Sequence, residues 1–185
     1  IATPFGLPSS PVTLGKLGDT PVAFLARHGE GHLIPPHRVN YRANVWALRS
    51  LGATHLLAVS AVGSLREELV PGHFVVVDQF IDLTRRRETT FFNELAGHVS
   101  LADPVCAEFA AAVATAAQGT GVTLHRGGTY VCIDGPQFST RAESHWYRQM
   151  GAAVIGMTNA TEARLAREAG LHFSTLAMVT DYDCW

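Results

Sequence analysis

Apolar runs and stretches of helical period take turns along this sequence. That alternation restricts the fold more than any single motif does. Val22–Ala26 is a short apolar run. Val39, Ala43, Trp46 and Ala47 then recur at helical spacing, with Gly52 just past their end. Leu56–Ala61 and Phe74–Ile81 follow as apolar runs without polar alternation, the pattern of strands covered on both faces. Val105, Phe109, Ala112, Val113 and Ala116 mark another helix, and Thr129–Ile133 a strand that stops at Asp134-Gly135-Pro136. Thr140-Arg141-Ala142-Glu143 has the spacing of a capping box and opens a helix. Ala153–Met157 is a strand, Asn159-Ala160-Thr161-Glu162 repeats the capping-box pattern, and the helix it opens ends at Gly170. Leu171–Thr180 is the last strand. This order predicts an α/β fold with a mixed, largely parallel central sheet flanked by helices.

At 185 residues the chain is long enough for one domain with a single core. Its 47% hydrophobic and 16% charged residues fit a globular chain and exclude a disordered one. A net charge of −2 leaves no basic footprint for nucleic acid. No apolar run approaches the roughly 20 residues of a membrane helix, so no membrane partner is expected. Cys106, Cys132 and Cys184 are odd in number and form no CxxC pair. They read as reduced thiols of a cytoplasmic protein, with neither a zinc site nor a disulfide framework. Ile1 opens directly on the turn Thr3-Pro4-Phe5-Gly6, and Trp185 closes directly after a buried strand. The residues therefore read as part of a longer chain. Arg85–Pro104 is polar, long and without period, as functional loops often are.

Ligands of open α/β sheets sit outside the carboxyl ends of strands. Polar or Gly-rich residues occupy several such ends here. They are Arg27-His28, Ser60-Ala61-Val62-Gly63, Asp134 to Ser139, Met157-Thr158, and Asp181-Tyr182-Asp183. Convergence would place them in one cleft. Arg27 offers a forked donor set for an anion, with His28 beside it. Ser60 next to Gly63 supplies a hydroxyl and backbone N–H groups able to nest an oxyanion. Thr158 sits where a strand hands over to a helix N-terminus, as anion ligand or as helix cap. Asp181 and Asp183 share a face if the last strand continues, and a carboxyl there can act as general acid. His28, His32 and His37 lie in a Pro-rich loop without metal-ligand spacing, so no metal is expected.

These strings resemble a known family. Leu25-Ala26-Arg27-His28-Gly29, the stretch from Pro36 to Asn44, Gly63-Ser64-Leu65-Arg66 and Asp78-Gln79-Phe80-Ile81-Asp82 are similar to 5′-methylthioadenosine phosphorylases. So are the stretch from Gly135 to Glu143 and the closing Asp181–Trp185. The likeness runs in order over nearly the whole chain and points to the trimeric branch of the purine nucleoside phosphorylases. It implies phosphorolysis of a purine nucleoside with inorganic phosphate as co-substrate and with no cofactor. By motif, Arg27, His28, Ser60, Ala61 and Thr158 would hold phosphate. Met157 would pack under the ribose, and Phe138 and Ser139 would flank the base. Asp181 and Asp183 would address the base near N7 and the 6-amino group. His32 would lie near the phosphate, and His98 would be lent across a homotrimer interface to the neighbouring 5′ pocket. The family also implies an N-terminal strand with a Gly-rich phosphate loop, and a C-terminal helix over the 5′ group.

Two departures stand out. Pro before the Glu162 position and, in many relatives, Asn at position 156 are replaced by Thr161 and Gly156. Gly156 is similar to the methylthioinosine enzymes, which keeps a 6-oxopurine or methylthioinosine phosphorylase open as an alternative. The Asp at position 181, where 6-oxo enzymes carry Asn, favours the 6-amino base. A hydrolytic nucleosidase and a non-enzymatic nucleoside-binding protein are the remaining readings.

Overall fold

The computed structural model describes residues 1–185. Two antiparallel strands, β1 (Thr13–Leu17) and β2 (Thr20–Phe24), form a hairpin apart from the main sheet. Helix α1 (Tyr41–Ser50) starts where the Asn40 side chain accepts the Ala43 N–H, and Gly52 follows its end with φ 87°. That positive φ is costly for any residue with a Cβ, which explains a glycine there. Then come β3 (His55–Ser64), β4 (Phe74–Val76), β5 (Gln79–Asp82), α2 (Ala107–Gln118), β6 (Leu124–Arg126) and β7 (Thr129–Cys132). Helix α3 (Arg141–Gln149), β8 (Val154–Gly156), α4 (Asn159–Glu168) and β9 (His172–Asp181) complete the chain.

Seven strands form one sheet in the order β5-β7-β8-β3-β9-β4-β6. Four ladders are parallel (β3–β9, β4–β6, β5–β7, β7–β8), and β3–β8 and β4–β9 are antiparallel. The sheet is thus mixed and largely parallel, with helices against it, as the alternation of patterns predicted.

Three local expectations need correction. The apolar run Phe74–Ile81 is two strands, β4 and β5, in opposite halves of the sheet. The break falls at Val77-Asp78, where the Asp78 carboxylate accepts the Gly128 N–H at 3.0 Å. Apolar content does not reveal such a crossing, because both halves remain in the interior. Strand β3 is covered on one face only: Leu56, Ala58, Ser60 and Val62 are buried, while Leu57 and Val59 are exposed. Near-continuous burial is found instead in β7, β8 and most of β9. Finally, Asn159-x-x-Glu162 is no capping box. Thr158 is the N-cap residue without a side-chain cap bond, and Asn159 Nδ2 donates instead to Glu162 Oε2 at 2.8 Å. The box at Thr140 and Glu143 is present in full. Strands β1 and β6 carry no signal in the apolar pattern: β1 is exposed throughout, and β6 is only three residues long.

The core divides into three clusters along the sheet. Val45 of α1, Leu165 of α4, Leu56 and Phe173 belong to one. Val62, Val75, Tyr130, Val154 and Ala177 form the second, and Leu65, Val131, Tyr147 and Ile155 the third. Truncating a buried aromatic such as Phe173 to Ala would cost about 3–5 kcal/mol. Strand β3 pairs with β8 only through Gly63 and Ser64, so residues 55–62 have no neighbour strand on that flank. A cleft opens beside this departure.

Candidate active site

The cleft has a volume of about 360 Å³ and draws on segments far apart in sequence. One flank carries Arg27, His28, His32, Ser60, Ala61 and Thr158. The other carries Phe138, Ser139, Asp181 and Asp183, and Met157 lines the cleft as well. Every residue given a ligand-binding role by the family resemblance, except His98, therefore lines it. His98 is exposed in the long connection after β5 and is not part of the cleft of its own chain.

On the anion flank, Arg27 follows the hairpin rather than a strand of the main sheet. Its Nε and Nη2 bind both oxygens of Glu162, the latter at 3.0 Å, and its Nη1 donates to the Val59 carbonyl at 3.3 Å. A guanidinium has five N–H donors, so three are committed and two remain for a ligand. Burial pulls the Arg27 pKa down, but the charge and hydrogen bonds of Glu162 outweigh it and leave it above its ordinary value. The sequence pattern marks Glu162 as a helix-cap residue; in the structure it anchors the site's cation instead.

His28 Nδ1 lies 2.8 Å from the Ile34 carbonyl, and its ring stacks on His32 at 4.3 Å between centroids. Burial, and to a smaller extent the Arg27 charge, hold His28 below the usual histidine pKa. It is neutral at pH 7, with Nδ1–H donating to Ile34. His32 has φ 57°, a left-handed backbone that turns the loop back toward the cleft.

Ser60 sits inside β3, not at its end. The segment Ser60 to Gly63 is extended strand, so no N–H nest forms there. Gly63 serves another purpose: a Cβ there would lie 2.9 Å from Asp181 Oδ1 and 3.2 Å from Asp183 Cβ. Its missing side chain is the space in which the two carboxylates meet the strand. Thr158 is buried, and its hydroxyl, unused as a cap, accepts from Asn159 Nδ2 at 3.3 Å, with the Tyr130 hydroxyl as a further polar neighbour.

On the opposite flank β9 ends at Asp181 and the chain turns, with Asp183 at φ 52°. The two carboxylates meet through this turn and not through strand alternation. Asp181 Oδ1 accepts the Asp183 N–H at 2.7 Å, and Oδ2 accepts the Thr180 hydroxyl at 2.8 Å. Phe138 is 82% exposed at the mouth, a free aromatic face. Ser139 Oγ is buried without a partner. The Met157 thioether packs where a Gly135 Cβ would stand, 2.4 Å from its sulfur, and the Met157 carbonyl accepts from Tyr41 at 3.3 Å.

Arg87 is a second residue the sequence pattern left unmarked. Its side chain is 2% exposed and donates to the Ile133 and Asp134 carbonyls at 3.2 and 3.0 Å. It thereby fixes the entry to the segment carrying Phe138 and Ser139. The rest of the long connection packs on α4 instead of the cleft: Thr90 and Phe91 donate to Glu168, and Arg167 to the Ser100 carbonyl.

Fold and cleft together define an α/β protein whose one cleft gathers an arginine, hydroxyl side chains and a pair of carboxylates. The sequence pattern of the phosphorylase superfamily matches residues 2–185. All of this chain aligns at 54% identity with S-methyl-5′-thioadenosine phosphorylase of Geobacter sulfurreducens, and at 55% with that of Thermofilum pendens. It spans 65% of the first relative's length and 71% of the second's. A crystal structure of methylthioadenosine phosphorylase from an antarctic soil metagenomic library superposes over the whole chain. The TM-score is 0.98, with 54% identity and 66% of that chain covered. A mutant adenosine/methylthioadenosine phosphorylase of Schistosoma mansoni in complex with adenine gives 0.97, with 44% identity and 76% of that chain covered. The protein belongs to the phosphorylase superfamily.

Proposed function

We propose that the whole protein catalyses phosphorolysis of 5′-methylthioadenosine to adenine and 5-methylthioribose 1-phosphate. The observation that carries this reading is that Arg27, Ser60 and Thr158 line the same cleft as a pair of aspartates. Relatives carrying the methylthioadenosine phosphorylase name, and one of them in complex with adenine, support it.

The chemistry follows from the two flanks. A phosphate oxygen attacks C1′ of the ribose as the C1′–N9 bond breaks. The sugar passes through an oxocarbenium-like state that the phosphate dianion stabilises and then captures. Phosphate must therefore be oriented without being fully neutralised. Arg27 already shares its charge with Glu162, and Ser60 and Thr158 contribute hydroxyl protons. The bonding electrons leave with the purine. A proton delivered from Asp181 to N7 makes the departing base neutral, help worth about 10²–10⁴-fold. Asp183 accepts from the 6-amino group, and Phe138 stacks on the ring.

Inorganic phosphate is a co-substrate in this reading, and no cofactor takes part. The reading extends to a cytoplasmic homotrimer in purine and methionine salvage. In it, the exposed His98 reaches the 5′ end of a neighbour's cleft. Residues 1–185 then form the nucleoside phosphorylase domain. The bare face and unpartnered flank of β3 are surfaces that an N-terminal strand and phosphate loop from elsewhere in the chain would cover.

The test is adenine release from methylthioadenosine by the full-length protein, with and without inorganic phosphate. Adenine and the sugar phosphate should appear in equal amounts, and only when phosphate is present. Release without phosphate would assign a hydrolase. Tight adenine binding without turnover would assign a binding protein.

A further inference from the structure

Tyr130 is the largest fully buried side chain, and the phosphorolysis mechanism does not use it. It stands on β7 in the core cluster behind the anion flank, packed against Phe80 with ring centroids 5.6 Å apart. Its hydroxyl lies 3.3 Å from Ser60 Oγ, and the Thr158 side chain is a second polar neighbour. The phenol thus touches the two hydroxyl residues of the anion flank from the protein side. It reaches them through a space that residue 156 would otherwise fill. A Cβ at Gly156 would lie 1.9 Å from the Tyr130 oxygen and 2.6 Å from Cζ. No rearrangement of a rigid buried ring absorbs such an approach, so the two positions are one unit.

We propose that Tyr130 is a positioning residue for phosphate. Through the room left by Gly156 its hydroxyl donates to Ser60 Oγ, which orients the single Ser60 proton into the cleft. A serine hydroxyl has one proton and two acceptor positions. In an unliganded site that proton can turn to the Ala61 carbonyl, 3.3 Å away, or to the tyrosine oxygen. A phosphate oxygen is an acceptor and needs the proton itself. A donor fixed behind Ser60 occupies its lone pair and leaves the proton facing the anion. Burial pushes the Tyr130 phenol up to about 12, so its own proton stays in place over the working pH range. Gly156 is then a packing consequence of Tyr130 and not a reader of the purine.

This inference rests on the phosphate reading of the cleft, so the first measurement is the phosphate requirement of the unmodified full-length protein. A missing requirement would overturn that reading itself. With the requirement present, Tyr130→Phe keeps the ring and removes only the hydroxyl. The loss of one hydrogen bond should raise the KM for phosphate about threefold to tenfold and leave the KM for the nucleoside within about twofold. In a Ser60→Ala background the same change should alter phosphate KM by less than about twofold, because the coupled partner is gone. A Tyr130→Phe variant with unchanged phosphate KM would overturn the proposal. So would one in which both KM values and the melting temperature shift together. Full additivity with Ser60→Ala would also overturn it. A separate arm tests the shared space. Gly156→Ala should lower the melting temperature clearly in the unmodified protein and much less in a Tyr130→Leu background. Equal losses in both backgrounds would show that the glycine and the tyrosine are independent.

Discussion

In the proposed reaction, Asp181 would carry most of the specificity at the scale of a single residue. It is exposed at the end of β9, and its two oxygens already accept from Thr180 and from the Asp183 N–H. Each oxygen keeps a further lone-pair position, so the group can face a base edge while staying fixed in the turn. A carboxyl can hand a proton to N7, whereas an amide in the same place can only hydrogen-bond to it. Asp181→Asn should therefore lower kcat/KM for methylthioadenosine about 10²-fold or more and spare 6-oxo nucleosides by comparison. Unchanged kcat/KM on both substrates would dismiss Asp181 as the acid. The residue types in the cleft were legible because their chemistry is specific: arginine, aspartate and hydroxyl residues beside apolar runs. Glu162 was legible as a letter but not in its use, because a helix cap and a buried salt-bridge partner share the same local pattern. Gly63 shows the same limit. The sequence shows a glycine, but only the contact distances show that two aspartates fill its side-chain space.

Helix α3 shows what one element contributes. Its start is held by a full capping box: the Thr140 hydroxyl accepts the Glu143 N–H at 3.2 Å, and the Glu143 carboxylate accepts the Thr140 N–H at 2.7 Å. These bonds hold the Glu143 pKa below its ordinary value. The cap follows Phe138 and Ser139 directly, so it also sets where the base-flanking segment leaves the helix. Thr140→Ala should cost about 1 kcal/mol in urea unfolding. A value near zero would mean that tertiary contacts alone hold the turn. Element boundaries were legible wherever a capping box or a glycine stop occurs, as at Thr140 and Gly52. They were not legible where apolar residues continue through a change of partner, as between β4 and β5. The bare face of β3 escaped notice for a related reason. Leu57 and Val59 are as apolar as their buried neighbours, so no alternation marks the face turned outward.

Over the whole molecule, the proposed anion flank joins three segments far apart in sequence. Arg27 and His28 follow the hairpin of β1 and β2, Ser60 belongs to the central sheet, and Thr158 starts α4. In the free protein only Glu162, and the bond from Arg27 to Val59, tie the Arg27 segment to the sheet and helix through this site. An anion held by all three would add a common bond between them and would have no such site in the unfolded chain. Binding must then stabilise the fold by mass action, about 2.7 kcal/mol at a concentration 100 times the dissociation constant. For a chain of this size, that corresponds to a rise in melting temperature of about 5 °C or more. Inorganic phosphate should produce this rise against chloride at matched ionic strength. Arg27→Met should abolish most of it, since it removes both the remaining donors and the charge that Glu162 balances. The variant will itself melt lower, because Glu162 is left buried without its partner. The decisive quantity is therefore the increment on adding phosphate, compared within each variant. An equal increment in both proteins would place the anion elsewhere and detach Arg27 from the phosphate flank.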